Sequence, residues 1–532
     1  MKDTAYSRYS LLRSDRDQYL ETAMEAAKLT LPYLIRWDDE DNVKSRRSLL
    51  TPWQSVGAKG VVTLASKLML ALMPAQTSFF KLQLDEAKLI EQDMDQQVRT
   101  ELDLSFAKIE RTINELISAS DDRVVIHQAM KHLVVAGNAL IFMGKDHLKL
   151  FPLNRYVIDR DGEGNVIEIV TRERINRDLV MEQMPAEFKQ AVNPVGDDGE
   201  HSDASDHDVD VYTHVLRDEK QFVWHQECQG YVLEGSYSKA PVDNTPWIAL
   251  RFNTVDQEPY GRGRVEEFMG DLKSLEALSQ ALVEGSAAAA KVVFVVSPSS
   301  TTKPQTLAQA RNGAIVQGRP EDIGVIQVGK GADFQTAQQQ MQVLEKRLAE
   351  AFMVLQVRNS ERTTAEEVRM TQMELEQQLG GLFSLLTVEF LVPYLNRKLN
   401  VAQKTGEIPR LPKGGIVKPT IVAGINALGR GQDRESLGQF LQVIAQTMGP
   451  EAIQQFINPE EVVKRLAAAS GIDVLNLVKS MDELQAEEQQ AMQQQQAMAA
   501  QQQAPQMAAV EQKREQAEMQ AMQQQAQQPP QV

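Results

Sequence analysis

Residues Gly324 to Lys330, with the sequence GVIQVGK, have the spacing of glycine and lysine found in nucleotide phosphate loops. In such a loop the next residue is a Ser or Thr whose hydroxyl binds magnesium, but here Gly331 takes that place. No apolar strand ending in an acidic metal partner is evident either. We therefore interpret this segment as a loop that leads into a long helix.

Residues Tyr260 to Arg264, with the sequence YGRGR, are a second candidate for phosphate chemistry. A dinucleotide-binding fingerprint needs a third glycine where Glu266 stands, and it belongs to a strand–helix–strand unit that is not evident here. The pentapeptide is better interpreted as the turn before a helix.

The sequence contains no pattern that matches a metal site or an acid–base catalytic site. His127 and His132 are about 140° apart around a helix, so they do not face one ion. The acidic run from Asp197 to Asp210 lacks the glycine and distal glutamate of a calcium loop, and we expect a solvated surface loop there. Cys228 has no evident histidine partner. The chain is therefore predicted not to be an enzyme, with no catalytic residue, no cofactor and no bound metal.

Composition limits the classes of function. The 532 residues suffice for two or more substructures, and a hydrophobic content of 42% agrees with buried cores. A net charge of −17 argues against a broad basic face that grips nucleic acid; if DNA is the partner, it would be conducted rather than clamped. The single cysteine excludes internal disulfides and suits a reducing compartment.

No targeting or membrane segment is convincing. Residues 1–6 lack an apolar core behind their charges. The most apolar stretch, Gly60 to Pro74, contains Lys67 and is shorter than the roughly 20 residues that span a bilayer. We predict a buried amphipathic helix, with a helix lying on a membrane surface as the alternative.

The spacing of apolar residues divides the first half of the chain into a helical part and a strand-rich part. Residues 1 to about 145 have helical spacing, whereas residues 139 to 253 change toward a period of two. The segments 157–159 and 166–170 flank the turn sequence RDGEGN and predict a hairpin, and the strands continue through 209–216, 221–226 and 231–234.

Residues Arg264 to Asn400 predict three long helices. Apolar residues spaced by three or four mark a first rod over Val265–Leu282 and a second over Phe334–Leu355, each roughly 35 to 40 Å long. The first rod also carries a small-residue run, Ala287 to Ala290. An ordinary intramolecular coiled coil is the alternative explanation.

A third helix begins at the capping box Thr363 to Glu367, with a bend expected near Gly380-Gly381 and Pro393. Beyond it, Asn458 to Gly471 predicts another helix. The last 48 residues contain about 20 glutamines and no aromatic residue, which is typical of a partly helical or disordered tail.

Five blocks of the sequence resemble, in order, the portal or head-to-tail connector proteins of short-tailed double-stranded DNA bacteriophages. They are residues 51–58 (TPWQSVGA), 64–72 (LASKLMLAL), 134–138 (VVAGN), 318–322 (GRPED) and 363–369 (TTAEEVR). The resemblance spans roughly residues 5 to 480.

The resemblance implies an α+β, mainly helical, portal-type fold assembled as a ring. Its expected parts are an α/β wing over 1–263, helical in 1–145 and strand-rich in 146–255; a first stem helix, 264–293; a small α/β clip, 294–333; a second stem helix, 334–355; a tunnel loop, 356–363; a bent wing helix with the return to the wing, 364–431; a helical crown, 432–484; and the Gln-rich tail, 485–532. The tail departs from any compact crown.

The resemblance also implies the function. The ring, usually of twelve subunits, would stand at one capsid vertex, form the channel for DNA packaging and ejection, dock the packaging motor and then the tail, and nucleate head assembly. The implied partners are double-stranded DNA, the terminase motor, the major capsid and scaffolding proteins, and the tail adaptor and internal core proteins, with no membrane. The protein would belong to the virion at the portal vertex after assembly in the host cytoplasm.

Two other classes are alternatives. An internal core or scaffolding-type virion protein would also be acidic and helical, but would not need a strand-rich wing. An ATP-driven translocase would need the missing magnesium ligand.

Three sets of residues are the expected sites. The tunnel loop would bring Arg358, Asn359 and Arg362 to DNA, although both arginines can instead cap helix ends or pair with Glu361 or Glu366. The basic clip residues would meet an acidic motor or tail partner, or a neighbouring subunit: Lys303, Arg311, Arg319 and Lys330. The stem would pack through Leu272, Leu275, Leu282, Met341, Leu344 and Leu348.

Overall fold

The chain forms two compact units, residues 1–427 and 428–532. This computed structural model describes residues 4–36, 51–74, 78–84, 96–145, 147–184, 208–289, 293–296, 323–326, 331–354, 379–409, 417–421, 440–447 and 513–519, together with residues 298, 303, 305, 309, 315, 319, 438, 462 and 522. In the second unit, residues 440–447 and 513–519 are helical. Phe440 and Val443 are exposed on the first of these helices. The helix predicted over Asn458 to Gly471 lies outside the described residues except for Val462.

Helices and strands are mixed in the first unit. The helices are α1 (Ala5–Leu29), α2 (Val56–Leu72), α3 (Gln96–Ala119), α4 (Asp122–Ala136), α5 (Arg177–Met181), α6 (Arg264–Glu267), α7 (Met269–Ala289), α8 (Gly331–Ala351) and α9 (Leu379–Thr405). The strands are β1 (Phe80–Leu84), β2 (Asn138–Met143), β3 (Leu148–Phe151), β4 (Tyr156–Arg160), β5 (Val166–Asn176), β6 (Asp208–Asp218), β7 (Gln221–Cys228), β8 (Tyr231–Val232), β9 (Ser238–Pro241), β10 (Trp247–Arg251), β11 (Val293–Val296), β12 (Ile323–Ile326) and β13 (Val417–Ile421).

The period-two segments form an antiparallel sheet in the order β4-β5-β6-β7-β8, with β9 also paired to β7. The predicted hairpin is confirmed, because Tyr156 to Arg160 pair with residues 166–171. Asp161 closes its turn by accepting hydrogen bonds from the backbone N–H groups of Glu163 and Asn165 at 3.0 and 2.7 Å. The predicted strands β6, β7 and β8 are confirmed as well.

One sequence interpretation is corrected in this sheet. Asp208 and Asp210 were assigned to a solvated acidic loop, but both lie in β6. Asp210 accepts a hydrogen bond from Arg172 on the neighbouring strand at 2.9 Å. The alternation of valines with these aspartates reflects a half-buried strand, in which cross-strand charge pairs are stabilising. Residues 197–207 lie outside the described residues.

The N-terminal half of α1 docks on the six-stranded sheet. Tyr9 joins Val157, Val170 and Tyr212 in a small apolar cluster separate from the main core. Ionic contacts surround it: Arg8 donates two hydrogen bonds to Glu168, and the backbone N–H of Ala5 donates to Glu227 at 2.6 Å. The first turns of α1 are thus fixed by a few polar contacts around a small satellite core.

Glu168 is the centre of that contact. Its side chain is 4% exposed and accepts hydrogen bonds from Arg8 and from the His214 ring at 2.6 Å. Burial raises the pKa of Glu168, but the hydrogen bonds and charges of His214 and Arg8 outweigh burial and lower the pKa to about 2. The carboxylate is therefore the favoured form in the folded protein.

The main core lies between the second half of α1, α2, α4 and the three-stranded sheet β10-β2-β3. Helix α2 contains most of the apolar stretch noted in the sequence, and its Val61, Leu64 and Leu68 are fully buried. The predicted buried amphipathic helix is confirmed, since this packing accounts for its hydrophobicity.

Helix α9 is the one described helix that is long and apolar enough to cross a membrane by length and composition. Its apolar side packs into the main core through Leu386, Phe390 and Leu395. The helix contains a π-helical turn, Thr387–Leu391, which ends two residues before Pro393. This placement fits the missing N–H of proline, which disturbs the regular hydrogen-bond ladder near its carbonyl partner. The predicted capping box, residues 363–367, lies outside the described residues.

Two buried polar contacts bind α9 to the body. Glu389, in the π-helical turn, accepts from the backbone N–H of Arg251 at 3.0 Å and from its guanidinium at 2.6 and 3.0 Å. One turn later, the fully buried Asp122 accepts from the Tyr394 hydroxyl at 2.5 Å and pairs with Lys398 at 2.6 Å. The helix is therefore fixed in register as well as in packing.

Candidate functional site

Helices α7 and α8 form an antiparallel pair within the first unit. Contacts run in opposite order along the two chains: Leu272 and Leu275 share the core with Leu348, Ser279 contacts Met341, and the Phe334 ring lies over Gly285. With 21 residues each, both helices are about 32 Å long. The pair corresponds to the two predicted rods.

The predicted stem residues differ in burial along the pair. At the base, Leu272, Leu275 and Leu348 are fully buried. Farther out, Leu282, Met341 and Leu344 are only half-buried. Val283 and Val343 are each 52% exposed near the outer end. Within the described part of one chain, the outer half of the pair lacks apolar cover.

The limits of the rods differ from those expected. The first rod is divided at Phe268, whose N–H bonds to the Val265 carbonyl at 3.2 Å, so that α6 and α7 are separate helices. The second begins at Gly331 rather than Phe334 and ends at Ala351 rather than Leu355. Apolar spacing marks the packed face of a helix and not its backbone limits, which explains the shift at both ends.

At the outer end, β11 and β12 form a short antiparallel strand pair. The segment first interpreted as a loop therefore begins as a strand over Ile323–Ile326, as its β-branched residues favour. Lys303 and Arg319 are exposed. Arg311 and Lys330 lie outside the described residues, as do the predicted loop residues Arg358, Asn359 and Arg362.

The base of the first rod is held by what we call the rod joint, formed by Gly137–Asn138 and Gly261–Gly263. Asn138 is 2% exposed and donates hydrogen bonds to the carbonyls of Ala136 and Gly261 at 2.9 and 2.7 Å. Its side-chain oxygen accepts from the Gly261 N–H at 2.7 Å. One buried amide thus makes two hydrogen bonds to the backbone of Gly261, shortly before α6, and a third within its own segment.

The base of the second rod is held by other elements. Phe352 is fully buried against Gly60 of α2, where a Cβ would lie 2.7 Å from the ring. Lys67 of α2 donates to the Met353 carbonyl at 2.6 Å. A lysine at this end of a helix satisfies a free carbonyl and complements the helix dipole. Met353 itself has a φ of 54°, which ends the helix.

Acidic side chains outnumber basic ones on both rods. Helix α7 has three acidic residues and one lysine, Lys273; helix α8 has three acidic residues and two basic ones, Lys346 and Arg347. Arg347 pairs across the rods with Asp271 at 3.2 Å, and Lys273 pairs with Glu25 of α1 at 2.6 Å. The basic groups are thus partly neutralised by partners in the same chain.

The candidates for chemistry are dispersed and buried. Among the described residues, no group of three or more His, Cys, Asp or Glu residues is placed to hold a metal. Burial lowers the pKa of His132 to about 4 and raises the pKa of the Cys228 thiol to about 11, so both groups are neutral near pH 7. Nothing in this arrangement indicates acid–base or thiol catalysis.

The rod joint is the feature that sequence reasoning missed. Residues 134–138 were noted as a family block and residues 260–264 as a turn, but no local pattern shows that they meet. The one signal in the sequence was the glycines in these two segments, since a glycine permits another backbone to approach closely.

The sequence also matches known proteins over most of its length. The family model for the bacteriophage head to tail connecting protein matches residues 2–477. The portal protein of Escherichia phage T7 is 37% identical over 494 residues, which cover 91% of this chain and 90% of that protein. The portal protein of Enterobacteria phage T3 is 38% identical with the same coverage.

Among solved structures, a chain from the neck of an empty GTA particle aligns with a TM-score of 0.37 and 12% identity, covering 79% of this chain and 90% of that chain. A score this low does not establish a shared fold. The family match covers about nine tenths of the sequence, and the two relatives are more than 30% identical over a similar share. Together they show that the chain belongs to the family of bacteriophage head to tail connecting proteins.

Proposed function

We propose that the chain is the protomer of a portal ring at one vertex of the capsid, through which double-stranded DNA enters and leaves. Family membership makes it a structural component of the head–tail junction. The observation that best supports a ring is the paired rods: among the described residues they are anchored at their base and carry uncovered apolar side chains farther out. A neighbouring subunit would supply that cover.

The outer rod surface suits close packing with a copy of itself. Ser286, Ala287 and Ala288 are small and exposed on α7, and Val283 and Val343 are exposed nearby. Small residues allow neighbouring helices to approach closely, and burial of the half of each valine that is still exposed would add roughly 1 kcal/mol each. We take the ring to have twelve subunits, as is usual for proteins of this kind.

Charge supports conduction of DNA without tight binding. Double-stranded DNA carries about one negative charge per 1.7 Å, so a basic lumen would hold it tightly. A chain of net charge −17 with acidic rods would instead repel DNA from the wall and keep it central. Arg358 and Arg362 in the tunnel loop would add weak, local restraint.

The remaining assignments are part of the same proposal. Residues 1–263 form the wing, 264–293 and 334–355 the two stem helices, 294–333 the clip, 356–363 the tunnel loop, 364–431 the bent wing helix with the return to the wing, and 432–484 the crown. The clip, with Lys303 and Arg319 exposed, would dock the terminase motor and later a tail adaptor. Capsid, scaffolding and internal core proteins would meet the ring during assembly in the host cytoplasm.

Imaging of the purified full-length chain tests the ring. Negative-stain electron micrographs are expected to show circular particles with a central hole, because the uncovered rods should associate side by side. Elongated or irregular particles would instead favour an internal core or scaffolding protein. ATP hydrolysis by the isolated protein would contradict a purely structural role.

Reversal of charge in the tunnel loop tests restraint of DNA. Phage particles that contain only the double variant Arg358→Glu and Arg362→Glu are expected to form rings normally but to retain less DNA, because phosphate contacts are lost. The measurement is DNA content per particle after storage. The matched control is Lys220→Glu with Lys239→Glu, the same change of charge at exposed wing positions. Equal retention in both double variants would remove the loop from the mechanism.

A further inference from the structure

The rod joint leaves no freedom at the start of the first rod. Gly137 has a φ of 73°, and a Cβ on it would lie 2.4 Å from the Arg262 carbonyl carbon. A Cβ on Gly263 would lie 2.6 Å from the Val135 carbonyl oxygen. The two backbone segments are therefore in direct contact, and Asn138 joins them with two hydrogen bonds to Gly261.

The neighbouring contacts extend this rigid region to both rods. Arg262 exchanges two backbone hydrogen bonds with Asn253, at 2.9 and 3.2 Å. Arg264 lies over the Phe268 ring and donates to the Ala351 carbonyl at 3.3 Å, where the second rod ends. The first rod is thus tied to the body and to the end of its partner within a few residues. Its base is a fixed attachment and not a hinge.

A fixed attachment has a geometric consequence in a closed ring. Adjacent subunits are related by one rotation, and rings of twelve and thirteen subunits differ by only about 2° in that rotation. Contacts between wings and contacts between rods must satisfy the same rotation, because both belong to one rigid subunit. A change of a few degrees in the inclination of the rods would favour a different number of subunits.

We infer that the rod joint, with Asn138 as its positioning residue, sets the number of subunits in the ring. This inference rests on the proposed portal function. The buried amide of Asn138 makes no contact with a neighbouring subunit in this scheme; it acts by fixing the direction of the rods relative to the wing.

Native mass spectrometry of purified rings tests the inference. Compared with the wild-type distribution, Asn138→Ala is expected to populate rings that differ by whole subunits, in mass steps of 59.5 kDa. The control is Asn154→Ala, which truncates another asparagine that is 5% exposed and does not belong to the joint. The control is expected to retain the wild-type distribution, since its side-chain oxygen has no hydrogen-bond partner to lose.

A second variant keeps the test decisive if Asn138→Ala does not fold. Arg264→Gln leaves the asparagine contacts intact but removes the bond between the two rods at Ala351, and the same broadening of ring mass is expected. Unchanged distributions in the folded variants, with wild-type rings present, would overturn the inference alone. Absence of wild-type rings would overturn the proposed function together with the inference.

Discussion

Replacing Glu389 with alanine is expected to lower the free energy of unfolding of the first unit by about 3 to 5 kcal/mol. The carboxylate accepts three hydrogen bonds from Arg251 and lies 3.8 Å from Arg160, whose side chain is 5% exposed. Burial lowers the pKa of Arg160 to about 10, while the charge of Glu389 acts against that shift. Without Glu389, two guanidinium groups would stay buried with no carboxylate between them.

Chemical denaturation of wild type and variant measures this loss. The matched control is Glu350→Ala on the second rod, where the carboxylate is 69% exposed and 4.0 Å from Lys346. An exposed pair of this kind contributes about 0 to 1 kcal/mol, so the control should unfold almost as the wild type does. Equal denaturation midpoints for the two variants would show that the α9 contact does not stabilise the unit.

Acidification is expected to weaken the attachment of α1 to the six-stranded sheet. The pKa of Glu168 is about 2 in the folded protein, against an ordinary value of 4.5. The stabilisation is therefore complete above pH 4.5 and is lost as the pH falls toward 2, because protons then bind the unfolded form more readily. A shift of this size corresponds to about 3 kcal/mol.

Hydrogen exchange of the backbone amides in residues 5–12, followed from pH 6 to pH 3, tests this effect. After correction for the intrinsic pH dependence of exchange, wild-type protection should fall with pH. In Glu168→Gln, protection should already be low at pH 6 and change little. Glu219→Gln, at an exposed turn between β6 and β7, serves as the control and should follow the wild type. A wild-type profile that is flat between pH 5 and pH 3 would rule out Glu168 as the source.

Local patterns in the sequence predict the elements well and their partners poorly. The stripes of the two rods, the hairpin after Tyr156 and the buried α2 follow from residue spacing, because periodicity reports which face of an element is covered. The same reasoning does not reveal why the second rod ends at Ala351. That end depends on contacts with α2, which is almost 300 residues away in sequence. Lys67 of α2 donates to the Met353 carbonyl, and Phe352 packs against Gly60 of α2.

Residue spacing also does not reveal which polar residues are buried. Glu168 and His214 occupy strands whose alternating pattern would place charged residues in solvent, yet α1 covers them. Asn138 is equally ordinary in sequence, and its importance appears only when Gly261 is beside it. The tunnel-loop assignment of Arg358, Asn359 and Arg362 remains a prediction from the family resemblance.

The pairing of β1 with β13 makes the direction of protein synthesis important. The C-terminal strand leaves the ribosome about 330 residues after its partner, which at 5 to 20 residues per second takes roughly 17 to 66 s. During that interval β1 presents an unpaired edge, on which other nascent chains can add a strand. Glu110 of α3 accepts from the Leu82 N–H at 2.7 Å, but this contact coexists with the β13 pairing and leaves the β13 edge of β1 uncovered. Any messenger that ends before codon 417 would therefore yield a polypeptide in which β1 has a permanently open edge.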